Sequence, residues 1–167
     1  MKVEKIVVGD LAENCYVVIN EQKEAIIIDP GDEAQKIIDF LKPYHVIEIL
    51  VTHHHFDHVG ALQELTDFYH VNPNTPSGKF AYQKIATPGH TMDSVSYYFP
   101  EQKCAFVGDF IFKEAIGRTD LGGNDLAMQE SLQMFLKEIP LETTLYPGHG
   151  PKTTLQAEKT FLESLLK

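Results

Sequence analysis

The stretch THHHFDHVG, residues 52–60, places four histidines and one aspartate within nine positions. It follows the run IEILV, whose apolar side chains are typical of a buried strand. Because residues two apart on an extended segment face the same way, His53 and His55 are expected to bind one metal ion. Asp57 and His58 begin a turn into a helix and are expected to face a second ion. Since zinc and similar ions accept imidazole and carboxylate ligands, the spacing H-x-H-x-D-H predicts a metal site.

Three further ligand candidates follow apolar, strand-like runs. They are His90 in IATPGHT, Asp109 in AFVGDF and His149 in LYPGHG. A glycine precedes each of them and would let the backbone approach an ion. Because α/β sheets usually bind ligands where strand ends open on one rim, these side chains are expected to join the histidine cluster.

Together the candidates match the ligand count of a two-metal centre, which needs about three protein ligands for each ion and one shared carboxylate. The predicted ligands are His53, His55 and His90 for one ion, Asp57, His58 and His149 for the other, and Asp109 as the bridge. Zinc is the expected metal, with iron and manganese as alternatives. Two such ions, roughly 3.5–4 Å apart, supply a bridging hydroxide at neutral pH and polarise a carbonyl group.

Composition limits the class of protein and its partners. A chain of 167 residues, 43% of them apolar, fits a single domain over residues 1–167. The net charge of −10, without a basic run, argues against nucleic acid and against an anionic membrane surface as partners. No apolar run could cross a bilayer, and the first ten residues lack a secretion-signal pattern. Two distant cysteines, Cys15 and Cys104, favour a reduced cytoplasmic protein, with one disulfide as the alternative.

Short apolar runs mixed with amphipathic patterns predict an α/β layered domain. The predicted strands are 2–9, 14–20, 24–30, 47–52, 79–87, 94–99, 103–110 and 143–148. The predicted helices are 32–44, 60–69, 124–139 and 153–167. Asn124 is expected to cap the third helix. The buried side of the first helix is expected to carry Ile37, Ile38, Phe40 and Leu41.

These motifs resemble those of the metallo-β-lactamase superfamily, and within it the glyoxalase II group of hydroxyacylglutathione hydrolases. THHHFDHVG, ATPGHT, FVGDFIF, IGRTD and YPGHGP occur in the order of that family. ENCYVV (13–18) and IIIDPG (26–31) extend the resemblance over nearly the whole chain. The resemblance implies a four-layer αββα sandwich with a dinuclear metal site at one edge of the two sheets. It also implies the same seven metal ligands, each at its matching motif position.

The resemblance and the local sequence give roles to further residues. Asp29, in the IIIDPG turn, would support the metal ligands, and a plain turn carboxylate is the alternative. Arg118 and Asp120 in GRTD are expected to form an ion pair that holds a loop near the site. His54 is expected to face away from the ions and to pack or support rather than bind.

Two departures from the family concern the substrate. Only 31 residues, 59–89, separate the predicted ligands His58 and His90. The family usually has a longer segment there, which includes elements that line the substrate pocket. Only 18 residues follow His149, so the helical domain that binds glutathione in larger glyoxalase II enzymes is expected to be absent. Solvated charge is the favoured interpretation of three lysines that could otherwise contact an anion, Lys113, Lys152 and Lys159.

The predicted function is hydrolysis of a small-molecule hydroxyacyl thioester of the S-lactoylglutathione type, with catalytic Asp57 orienting the bridging hydroxide. One alternative is a persulfide dioxygenase with a single iron on His53, His90 and Asp109. Another alternative is a metal-binding protein without turnover. β-Lactam hydrolysis is a weaker prediction, because metallo-β-lactamases proper usually carry cysteine where this chain has Asp109.

Overall fold

The computed structural model describes residues 1–166 and divides the chain into two compact units, which meet in sequence at Ala81 and Tyr82. The first unit contains β1 (Lys2–Val8), β2 (Glu13–Ile19), β3 (Glu24–Ile28), α1 (Ala34–Leu41), β4 (His45–Leu50), α2 (Phe56–Val59) and α3 (Leu62–Tyr69). The second contains β5 (Gln83–Ala86), β6 (Val95–Phe99), β7 (Cys104–Gly108), β8 (Ile111–Phe112), β9 (Ala115–Ile116), α4 (Asp125–Glu138), β10 (Thr144–Pro147), β11 (Thr153–Thr154) and α5 (Leu155–Leu165). The single domain over 1–167 stays a prediction.

The first unit is a four-stranded sheet in the order β1-β2-β3-β4. Its first three strands are antiparallel, whereas β3 and β4 are parallel and α1 connects them. The carboxyl ends of β3 and β4 therefore lie side by side, and the Asp29 amide donates to the Leu50 carbonyl at 2.9 Å. This pairing brings the turn after β3 next to the histidine segment that follows β4.

Helix α1 packs on this sheet through a narrow apolar stripe. Ala34, Ile37, Ile38 and Leu41 are its buried residues, at the i, i+3, i+4 and i+7 spacing of one helix face. Phe40 lies outside that stripe, is 37% exposed and stacks on Tyr44 instead, so its predicted burial is wrong.

The second unit is a five-stranded sheet in the order β11-β10-β7-β6-β5. Strands β7 and β10 are parallel, and β5 runs in the same direction because two antiparallel pairings separate it from β7. The carboxyl ends of β5, β7 and β10 therefore point to one edge of this sheet. His90, Asp109 and His149 each follow one of these ends within a few residues.

The helices of the second unit begin at capped positions. The Asn124 side chain accepts from the Ala127 amide at 2.9 Å, which confirms the predicted cap of α4. Leu132 and Phe135 of α4 pack with Leu162 of α5 in the core of this unit. The β8–β9 hairpin was not predicted, since strands of two residues carry no periodic pattern.

Two expectations about the chain as a whole can be compared with the described residues, 1–166. Among them, no helix has both the length and the apolar character needed to cross a membrane. Cys15 and Cys104 are both free thiols and both buried.

Candidate metal centre

The first unit brings its predicted ligands together at the end of β4. His53 and His58 are almost completely buried, and their ring centroids are 4.1 Å apart. The rings of His53 and His55 are 5.0 Å apart. Asp57 lies on the one-turn helix α2, with one carboxylate oxygen 3.6 Å from Nε2 of His58. His54 is exposed, as expected for a residue that faces away from this cluster.

Asp29 fixes the orientation of two of these imidazoles. Its Oδ2 accepts from the Thr52 hydroxyl at 2.5 Å and from Nδ1 of His58 at 2.8 Å, and its Oδ1 accepts from the Thr52 amide at 2.7 Å. The Thr52 oxygen in turn lies 3.0 Å from Nδ1 of His53. Because the Thr52 proton is already given to Asp29, this oxygen accepts the His53 proton.

The hydrogen bonds therefore place the protons of His53 and His58 on Nδ1 and the lone pairs on Nε2. That arrangement is what metal-binding histidines need, since the bonded nitrogen sets the tautomer and the ring direction. Donor atoms of Asp29, His53 and His58 lie within 4.8 Å of one another. Both Asp29 oxygens accept hydrogen bonds, an arrangement that suits the predicted role of supporting the metal ligands.

Two features around this cluster were not found from the sequence. Glu13 is 1% exposed, and its Oε1 lies 3.5 Å from Nδ1 of His58. A charged residue at the start of the apolar strand ENCYVVI was the available signal, because carboxylates are rarely buried without a role. Gly31 has no room for a side chain, since a Cβ there would lie 1.9 Å from the Asp57 carbonyl oxygen.

The second unit places one carboxylate between two histidines. Oδ2 of Asp109 lies 3.4 Å from Nε2 of His90 and 3.5 Å from Nε2 of His149. Two ligand atoms about 2.1 Å from one tetrahedral ion are about 3.4 Å apart, so both separations suit shared coordination. The position of Asp109 therefore fits a carboxylate that contributes to two ions.

His90 is oriented by the GRTD loop. Its Nδ1 lies 2.7 Å from the Arg118 carbonyl oxygen, which can only accept, so Nε2 again carries the lone pair. The Arg118 side chain donates two hydrogen bonds to Asp120, at 2.6 and 2.7 Å, as predicted. This contact lowers the pKa of Asp120 to about 2 and raises the pKa of Arg118. The ion pair thus fixes the loop that carries the His90 acceptor.

Glycines keep the backbone close to these ligands. A Cβ at Gly117 would lie 1.8 Å from the Asp109 carbonyl oxygen and 3.1 Å from Cβ of His90. Gly89 also allows α4 to approach, since a Cβ there would lie 2.7 Å from Cα of Met128.

A cavity of about 530 Å³ lies beside the ligands of the second unit. His90, Asp109 and His149 form part of its lining. Most of the remaining wall comes from the β8–β9 hairpin and from Gly150 and Pro151. Its volume lies within the range of small-molecule sites.

The predicted ligands thus fall into two sets, one in each unit. The first set comprises His53, His55, Asp57 and His58, and the second comprises His90, Asp109 and His149. Within each set the side chains lie together, with the proton of each of three histidines held on Nδ1. Imidazole nitrogens and carboxylates in this state fit divalent metal ions.

Known proteins are similar to this chain in sequence and in fold. The family model of the metallo-beta-lactamase superfamily matches residues 8–77 and 75–159 of this chain. Hydroxyacylglutathione hydrolase GloC of Haemophilus influenzae is 28% identical over 202 aligned positions, covering 95% of this chain and 95% of that protein. Those aligned positions outnumber the 167 residues of this chain, so GloC has segments that this chain lacks.

Two solved structures are similar over nearly their whole length. The BLEG-1 B3 metallo-beta-lactamase has a TM-score of 0.92 at 30% identity, covering 99% of this chain and 100% of that chain. TTHA1623, solved in a di-iron-bound form, has a TM-score of 0.85 at 30% identity, covering 93% and 96%. The predicted α/β fold of the metallo-β-lactamase type is confirmed. The two family matches meet at residues 75–77, inside the segment 59–89 that was predicted to be short.

Proposed function

This chain belongs to the metallo-beta-lactamase superfamily and is a metallo-hydrolase of that group, and we propose that it hydrolyses a hydroxyacyl thioester of the S-lactoylglutathione type. The proposal depends mainly on the position of Asp109. Its Oδ2 lies 3.4 Å from Nε2 of His90 and 3.5 Å from Nε2 of His149, and all three residues line a cavity large enough for a small substrate. The similarity to GloC, a hydroxyacylglutathione hydrolase, supports the thioester as substrate.

We further propose that the two ligand sets serve one dinuclear centre. Its ligands would be His53, His55 and His90 for one ion, Asp57, His58 and His149 for the other, and Asp109 for both. Zinc is the proposed metal, and iron is the main alternative, because the similar TTHA1623 binds two iron ions. When bound, the ions supply charge that activates a water molecule and polarises the thioester carbonyl.

The side chains of this protein would position the reactants. Asp57 is 14% exposed and would accept a hydrogen bond from the attacking water, which holds it toward the carbonyl carbon. Asp29 and the Arg118 carbonyl keep three imidazoles in one tautomer, so the ligands need no rearrangement. A thiolate leaves readily, so the reaction needs no strong general acid.

β-Lactam hydrolysis is a second candidate function. The similarity to the BLEG-1 B3 metallo-beta-lactamase, at 30% identity and a TM-score of 0.92, favours it. A screen must therefore contain a chromogenic cephalosporin beside the thioesters.

The decisive experiment measures hydrolysis and metal content on the same purified sample. S-lactoylglutathione and smaller hydroxyacyl thioesters should be cleaved with two metal ions per chain. His55→Ala should lose most metal and turnover, whereas the matched variant His54→Ala should retain both, because His54 is exposed and outside the ligand set.

Three outcomes would contradict the proposal. Cleavage of the cephalosporin alone would indicate β-lactam hydrolysis. One iron per chain with persulfide-dependent oxygen uptake would indicate the dioxygenase. Metal binding with no turnover of any substrate would indicate a binding protein.

A further inference from the structure

The lining of the cavity in the second unit combines apolar residues with two cations. Phe112, Ala115, Ile116 and Pro151 supply apolar surface, and Lys113 and Arg118 supply positive charge. Such a wall suits an extended substrate arm with few charges, since burying an unpaired charged group is unfavourable.

The two cations differ in their availability. Arg118 is held by both oxygens of Asp120, so this pair presents little net charge to a ligand. Lys113 forms no ion pair within residues 1–166, and it is exposed at the turn between β8 and β9. On a chain with a net charge of −10, an available ammonium group at a pocket is a local exception that favours an anion.

The backbone of the turn that contains Lys113 is held by a buried carboxylate, Glu158. Phe112 pairs with Ala115, so Lys113 and Glu114 form a two-residue turn, and Glu114 has a positive φ of 60°. The Glu114 amide donates to Glu158 at 2.9 Å, and Glu158 also accepts from the Thr153 hydroxyl at 2.6 Å. Glu158 is only 2% exposed, so its carboxylate is fixed in the protein and its hydrogen bond to Glu114 holds the turn in place. The backbone of the turn therefore loses little conformational freedom when a ligand binds.

We propose that Lys113 is a specificity-determining residue, which binds the anionic end of a thioester arm whose apolar body lies along the β8–β9 hairpin. The inference rests on the proposed thioester hydrolysis and adds the substrate class: thioesters with one terminal carboxylate on an otherwise apolar arm. The polar atoms of the ligand are thus met by the candidate metal ligands and by Lys113, which line the same cavity as the apolar residues of the hairpin.

The test uses lactoyl thioesters of two thiols, mercaptopropanoate and mercaptohexanoate, each compared with its uncharged carboxamide. For at least one of the two thiols, the wild-type protein should cleave the thioester that carries the carboxylate with a higher kcat/KM than the thioester that carries the carboxamide. Lys113→Gln should lower kcat/KM for that carboxylate roughly tenfold, the effect of losing one exposed charge-assisted contact, and should leave the carboxamide unchanged. Lys113→Glu should reverse the preference.

A matched control separates local contact from overall charge. Lys137→Gln, in the last turn of α4, removes the same single charge from an exposed site and should not alter the preference. Binding of the non-hydrolysable thioether analogues, measured by calorimetry, should weaken with Lys113→Gln for the carboxylate alone.

The outcomes distinguish the two proposals. If no hydroxyacyl thioester is cleaved, S-lactoylglutathione included, the proposed function fails. If S-lactoylglutathione is cleaved and the carboxylate thioesters are not, or if carboxylate and carboxamide react alike, only the role of Lys113 is overturned. The same holds if Lys137→Gln changes the preference as much as Lys113→Gln.

Discussion

Replacing Asp29 by asparagine should weaken both the fold and the metal site. Asparagine keeps the shape and tolerates the φ of 53° at this position, so the backbone is not newly strained. One carboxylate oxygen becomes an amide nitrogen, which cannot accept the hydrogen bonds from His58 and Thr52. Loss of a charge-assisted acceptor for a buried donor lowers the free energy of unfolding by about 2–3 kcal/mol.

The same substitution should lower metal affinity by about 10–100-fold, since the tautomer and direction of His58 are no longer fixed. The unfolding free energy is measured by urea denaturation with a chelator present, and the affinity by competition with a chelator of known strength. Asp10→Asn is the matched control, because it removes one charge from an exposed aspartate. Wild-type metal affinity and wild-type stability in Asp29→Asn would refute the role assigned to Asp29.

Two further predictions concern packing and thiol reactivity. Gly117→Ala should reduce stability by about 1–3 kcal/mol and abolish hydrolysis, because the new Cβ would displace the Asp109 backbone. The control variant Gly122→Asn changes a glycine with a φ of 87° and open space around it, and it should be near normal in unfolding free energy and in hydrolysis. A fully active Gly117→Ala would contradict the prediction. Burial raises the pKa of Cys104 to about 11 and that of Cys15 well above its usual value. Iodoacetamide at about pH 8 should therefore label neither thiol in the folded protein and both thiols after denaturation. Labelling of Cys104 in the folded protein should rise toward alkaline pH. Rapid labelling of the native protein at about pH 8 would contradict this prediction.

Local patterns predicted the regular elements well. All eight predicted strands and all four predicted helices correspond to elements of the structure, with ends that differ by a few residues. The predicted end of the last helix, Lys167, lies outside the described residues. Asn124 was identified because a side-chain cap is a local interaction. Phe40 failed because an apolar pattern gives the buried side of a helix only approximately, and this ring lies at the margin of the stripe.

The grouping of the candidate ligands within each unit was predictable because they follow strand ends, and the pairing of strands then brings those ends side by side. The contacts that orient them were not, since they join residues distant in sequence. Glu158 reaches the turn at Glu114 over 44 positions, and His90 reaches the Arg118 carbonyl over 28. Such contacts depend on tertiary packing, which no local pattern encodes.

The loop at 72–78 shows the same limit. The Asn74 amide donates to the Ile49 carbonyl at 2.8 Å, and its side chain accepts from the Val51 amide at 2.9 Å. Glu48, buried within β4, accepts hydrogen bonds from Ser77. The attachment of this loop to β4 could be found only from the structure.

The most direct test is anomalous diffraction at the absorption edge of the metal that the purified protein contains. We predict two peaks per chain, both in contact with Asp109. The other contacts divide into His53, His55 and His90 at one peak and Asp57, His58 and His149 at the other. A single peak, or peaks away from these side chains, would contradict the dinuclear centre and the hydrolytic chemistry that depends on it.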